Sequence, residues 1–168
     1  MVKLSPFLRT FLVLGGVTFL GPLAIDSALP AFAAMQAGLS ASAGAIKMTL
    51  AAVTAGAAAG QVFTGALADR FGRRPILHMG LALFTIAAFA TAFMDSAAPV
   101  IALRFVQGFG ISAVMIASRA VVRDQFDVAE SARLYAHLLV VLGSAAVIGP
   151  ALFGLIVENL GWRPIFFA

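Results

Sequence analysis

Five long apolar stretches alternate with short polar links along the chain, and a sixth begins near its end. The runs cover about residues 8–29, 43–66, 76–94, 99–120 and 132–157, with the last starting near Trp162 and reaching Ala168. A helix needs about 20 mostly apolar residues to cross a bilayer, and each of the first five runs approaches or exceeds that length. Lipid offers no water to stray backbone groups, so such runs are helical. A closed barrel would need alternating segments of about ten residues, and none appear. The pattern predicts an all-α polytopic membrane bundle with five complete spans and the start of a sixth.

Composition agrees. The chain is 62% hydrophobic and 11% charged, against about 25% charged residues in a soluble domain. The pI of about 10.7 by itself suggests nucleic acid. The basic residues, however, lie mostly in links between spans, where they orient the protein and engage membrane lipid. No nucleic-acid partner is expected. With no cysteine, disulfides and thiolate metal sites are excluded.

Charge sets the expected topology. With the N-terminus in the cytoplasm, Lys3, Arg9, Arg70, Arg73, Arg74, Arg119, Arg123 and Arg133 fall inside. Only Lys47 and Arg163 fall outside, and Arg104 lies within a span. Cytoplasmic links collect Lys and Arg, so the chain is expected in a cell inner membrane with its N-terminus inside. Lys3 and Arg9 before an apolar run, with small residues at 28–34, also fit a cleaved leader. The spans that follow at once, and Asp26 inside the segment, argue for a retained span.

Four clusters carry candidate chemistry. Asp26 is an ionisable group in an apolar helix, between Pro22 and Pro30. Such residues usually face a bundle interior or aqueous cavity; a hydrated helix end near Pro30 is the plainer alternative. Arg104 is the second intramembrane charge, at a similar expected depth, with Gln107 on nearly the same helix face. Burial favours a neutral carboxyl and a nearby guanidinium favours a charged one, so an Asp26–Arg104 pair suits proton exchange. A static pair fixing helix register is the other reading. In the fifth span, Gly149, Pro150 and Gly154 permit a bend and close helix contact. The link GALADRFGRR packs Gly65, Asp69, Arg70, Gly72, Arg73 and Arg74 into a short basic hinge. Asp124 is expected to meet Arg73 or Arg74 there as a latch.

Other features are structural. The glycines of GAAAG, Gly56 and Gly60, stand four apart and suit close helix packing. His78 and His137 are isolated near helix ends, with packing or interfacial roles, and no metal-ligand cluster appears. No nucleophile–base set or phosphate cradle is visible, so an enzyme is not expected.

GALADRFGRR resembles the loop 2–3 signature of the major facilitator superfamily, G-x-L-[A]-D-R-x-G-R-[RK]. LRFVQGFG resembles the span 4 signature R-x-x-Q-G-x-G, IGPALFG the span 5 antiporter signature G-P-x-x-G-G, and Asp26, Leu29 and Pro30 the D-x-x-L-P element of drug:proton antiporters. Together they most resemble the bicyclomycin-resistance branch of multidrug exporters. The resemblance implies antiport of drugs or other small hydrophobic or amphipathic molecules by alternating access. It also implies a proton gradient in place of any cofactor. Asp26, Arg104 and Gln107 would couple protons or line the cavity; the hinge residues and Asp124 would form the latch; Gly149, Pro150 and Gly154 would shape the antiporter helix. A sugar or metabolite importer and a transport-inactive membrane fragment are the alternatives. The chain departs from the family at Phe153, which replaces a glycine, at Ala145 and at Lys47. It also ends just inside span 6 of twelve, so it is expected to be an N-terminal half whose partners are protons, a small-molecule substrate, lipid and a missing C-terminal half.

Overall fold

The computed structural model describes residues 5–26 and 28–167, without the side chains of residues 6, 23, 24 and 26. Among the described residues six α-helices follow one another: α1 (Pro6–Asp26), α2 (Phe32–Gly38), α3 (Ala43–Phe71), α4 (Arg73–Thr91), α5 (Ala97–Gln125) and α6 (Val128–Leu160). A 3-10 turn, Arg163–Phe166, comes last. No strand occurs among the described residues, so the all-α expectation holds. Helices α3 to α6 are each long and apolar enough to cross a membrane. The chain is an integral membrane protein.

Two differences from the apolar pattern have physical causes. The helices outrun their apolar cores: α3 has 29 residues, about 43 Å at 1.5 Å per residue, and carries Asp69 and Arg70 beyond the hydrocarbon. Hydropathy marks where lipid stops, not where backbone hydrogen bonds stop. The link after α1 also contains α2, a seven-residue helix anchored by the buried Met35. Where a sixth span is expected, the described residues to Phe167 form only the 3-10 turn, opened by Pro164.

Caps fix the helix starts. The Ser42 hydroxyl accepts from the Ala45 N–H at 3.2 Å, and the Asp127 carboxylate from the Glu130 N–H at 2.8 Å; each satisfies an otherwise open donor. Buried hydroxyls bond within their own helices, as Thr64 does to the Gly60 carbonyl at 2.6 Å. Their polar cost in lipid is thereby removed.

Helix α5 is the hub. It packs most extensively against α3 and α4 and also touches α1, whose main partner is α6. Glycines set the distances. A Cβ on Gly56 would overlap the Phe105 carbonyl, one on Gly60 the Ser112 hydroxyl, and one on Gly108 the Val53 carbonyl, so α3 and α5 meet backbone to backbone. Gly110 and Gly80 do the same for α5 and α4, each within 2.7 Å of the other's carbonyl oxygen by the same test. Two residues along a helix turn the face by about 200°. Gly108 and Gly110 therefore serve two opposite neighbours. Apolar side chains such as Val140 and Val147 stay exposed on α6, as lipid or a further helix requires.

Candidate functional site

The bundle has two ends. The hinge end holds the α3–α4 junction, the start of α1 and the α5–α6 link; the far end holds α2, the α4–α5 link and the final turn. The far end is closed by an apolar cluster that includes Met35, Ile46, Val100, Phe153, Trp162 and Phe166. Phe153, the departure from the glycine pair, is thus a plug residue. Arg163 strengthens this closure by donating to the Ala92 carbonyl and the Asp95 carboxylate, both at 2.7 Å.

Beneath the cluster lies Arg104, fully buried on α5. Its Nη1 donates to Gln107 Oε1 at 3.0 Å, and its guanidinium stands 5.5 Å from the Phe166 ring. Helix spacing puts Arg104 and Gln107 on one face, and the final turn lays an aromatic ring over the cation. Asp26 closes α1, but its side chain lies outside the described residues. Its neighbours Pro22 and Ile25 wall a cleft of about 590 Å³ between α1, α3, α5 and α6.

This cleft is mostly apolar, with Gln61, Ser112 and Arg119 as its polar groups. A space of about 370 Å³ adjoins it toward the hinge end, sharing Met115, Arg119, Leu139 and Leu142 and adding Thr18, Ser118 and Tyr135. Apolar walls with a few polar groups suit a small amphipathic molecule. Neither Arg104 nor Gln107 walls the cleft; both are buried on the face of α5 that turns toward the plug. Gln61, Ser112 and Arg119 are the polar wall instead. Gln61 had a signal, as a lone amide in an apolar run; Ser112 and Arg119 had none, because contact between distant helices decides their place.

At the hinge end Arg73 joins three helices. It donates through Nη1 to Asp69 at the end of α3, and through Nε to Asp124 Oδ2 on α5 at 3.3 Å. The Asp69 hydrogen bond, with Asp124 adding to it, holds the guanidinium above its ordinary range. It therefore stays charged at any physiological pH. Of the two arginines left open by the sequence, Arg73 reaches Asp124, while Arg74 faces away into another cleft. Arg70 lies 5.3 Å from the Phe71 ring and is exposed. Gly65 has open space around it and borders a pocket of about 290 Å³ with Asp69, Arg73, Arg119 and Arg123.

On α6, Gly149 is buried, and the helix runs unbroken through Pro150. Gly154 and Gly143 have open space, so these two do not serve packing among the described residues. His137 stacks edge-on to Phe7 and Phe11 at 6.1 and 5.7 Å, in the packing role expected of it. Among the described residues no group of ligands fit for a metal occurs.

The comparisons agree with this architecture. The family profile described as Major Facilitator Superfamily matches residues 14–168. The MFS-type transporter YdgK of Bacillus subtilis is 35% identical over 156 residues, covering 92% of this chain and 39% of that protein. The bicyclomycin resistance protein homolog of Haemophilus influenzae is 33% identical over 156 residues, covering 93% and 39%. The structure of the proton:xylose symporter XylE matches with a TM-score of 0.79 at 17% identity, over 95% of this chain and 41% of that one. The chain thus spans about two fifths of the length of these relatives.

Proposed function

This chain belongs to the Major Facilitator Superfamily, and on that premise we propose that it is the N-terminal half of a proton-driven exporter of small hydrophobic or amphipathic drugs. The observation that carries the reading is Arg104, a cation fully buried in a membrane helix and bonded to Gln107. A charge so costly in lipid is kept for function by default. The bicyclomycin-resistance name of a relative and the D-x-x-L-P and G-P elements support export. In this reading Asp26 carries the proton and Arg104 tunes its release. The substrate occupies the cleft beside Gln61 and Ser112, and a second half supplies the opposite wall. The two halves rock about a midplane site, with the Arg73–Asp124 latch on the cytoplasmic side of the inner membrane.

Everted vesicles acidified by respiration and holding this half together with a C-terminal half that completes the cavity test this. Bicyclomycin is expected to release protons from them, and both Asp26→Asn and Arg104→Gln to abolish the release. Release that persists in both variants overturns the coupling roles. No release from the correctly inserted wild type with both halves present favours a transport-inactive protein. A sugar-driven proton movement in place of the drug response favours an importer.

A further inference from the structure

We propose that Arg9 and Arg74 hold the phosphate of an anionic phospholipid at the hinge end of the bundle. A cleft of about 390 Å³ lies there between α1, α4 and α5, walled by Arg9, Thr10 and Val13, by Arg74, and by Val121 and Gln125. Its polar groups all sit at helix ends. Arg9 is in the first turn of α1, Arg74 is the second residue of α4, and Gln125 is the last of α5. Helix ends of a bundle whose spans cross the hydrocarbon lie at headgroup level.

The two arginines are uncommitted. Among the described residues neither makes an ion pair, whereas adjacent Arg73 is neutralised by two carboxylates. No carboxylate walls the cleft. The Thr10 hydroxyl donates to Gln125 Oε1 at 3.2 Å, which fixes the amide and leaves its nitrogen as a further donor. Two guanidiniums and an amide suit phosphate oxygens, the arginines by their forked donors.

The cleft's other half is what singles out a lipid. Val13 lies one turn deeper than Arg9 on the same face and is 57% exposed; Val121 lies one turn deeper than Gln125 on α5. Cations at the rim above an exposed apolar wall match a phosphate above an acyl chain. Free phosphate would leave that wall idle, and a zwitterionic headgroup would bring a third cation to a site already holding two. This site does not depend on the transport reading.

Native mass spectrometry of the full chain, released from micelles doped with phosphatidylglycerol, tests the assignment. The wild type is expected to retain one tightly held phosphatidylglycerol. Loss of two surface arginines weakens an anionic lipid by on the order of thirtyfold, so Arg9→Gln/Arg74→Gln should lose it while Arg133→Gln, outside the cleft, keeps it. Val13→Trp, which fills the apolar half from an exposed position, should also lose it; this keeps the test decisive if the double variant fails to fold. Equal retention of phosphatidylcholine, displacement by millimolar inorganic phosphate, or equal retention by Arg133→Gln and the cleft variants would each overturn the proposal.

Discussion

At the scale of single residues, Gly72 governs the hinge. Its φ of 92° and ψ of 159° lie in a region essentially restricted to glycine. It caps α3 through a bond from its N–H to the Ala68 carbonyl at 3.0 Å, and α4 starts at the next residue. Gly72→Ala is therefore expected to destabilise the fold by on the order of 1–3 kcal/mol, read as a lowered thermal midpoint in detergent. Gly65→Ala, with no neighbour within 4 Å, should leave the midpoint unchanged. Equal midpoints for all three proteins would show that the turn is not strained by a side chain. The same turn explains a limit of the sequence. An Arg–Asp124 contact is legible from two opposite charges at one end of the bundle, but consecutive helical residues point about 100° apart. Which arginine reaches α5 depends on the angle at which Gly72 launches α4, and no local pattern encodes that.

At the scale of elements, α5 is fixed from two sides by glycine contacts. The small-residue spacing of GAAAG is readable as a packing stripe. Its partner is not, since nothing local pairs Gly56 with Phe105 or Gly60 with Ser112. The Q-G-x-G run has a structural logic of its own: Gln107 serves Arg104, Gly108 serves α3 and Gly110 serves α4. Gly108→Ala would place a carbon against backbone that cannot swing aside. Overpacking of this kind costs about 1–3 kcal/mol. Reversible unfolding in mixed detergent should show that loss for Gly108→Ala and none for Gly143→Ala, whose site is open. A Gly108→Ala protein as stable as the wild type would mean that α3 and α5 are not held at backbone contact. The burial of Arg104 is half legible in the same sense. Its charge inside an apolar run announces an interior position, but the covering Phe166 comes from a turn where a helix was expected.

At the scale of the whole molecule, orientation follows from charge summed over all the links. Four facts combine. Helix α4 crosses between Gly72 and Ser96, and α5 crosses back to Asp127, so Ser96 and Ala129 stand on opposite sides of the bilayer. Ala129 shares its side with the basic hinge and with Arg119, Arg123 and Arg133. Ser96 shares its side with α2 and the 3-10 turn, where Lys47 and Arg163 are the basic residues. Cytoplasmic links collect the Lys and Arg excess, so the topology we propose has Ala129 inside and Ser96 outside. The chain has no cysteine, so one introduced thiol is a clean reporter, and both positions are exposed. In intact cells a membrane-impermeant maleimide should label Ser96→Cys and spare Ala129→Cys, with both labelled after permeabilisation. Labelling of Ala129→Cys alone in intact cells would invert the topology. It would move the latch and the lipid cleft to the outer face, and the proposed direction of drug movement would lose its structural basis.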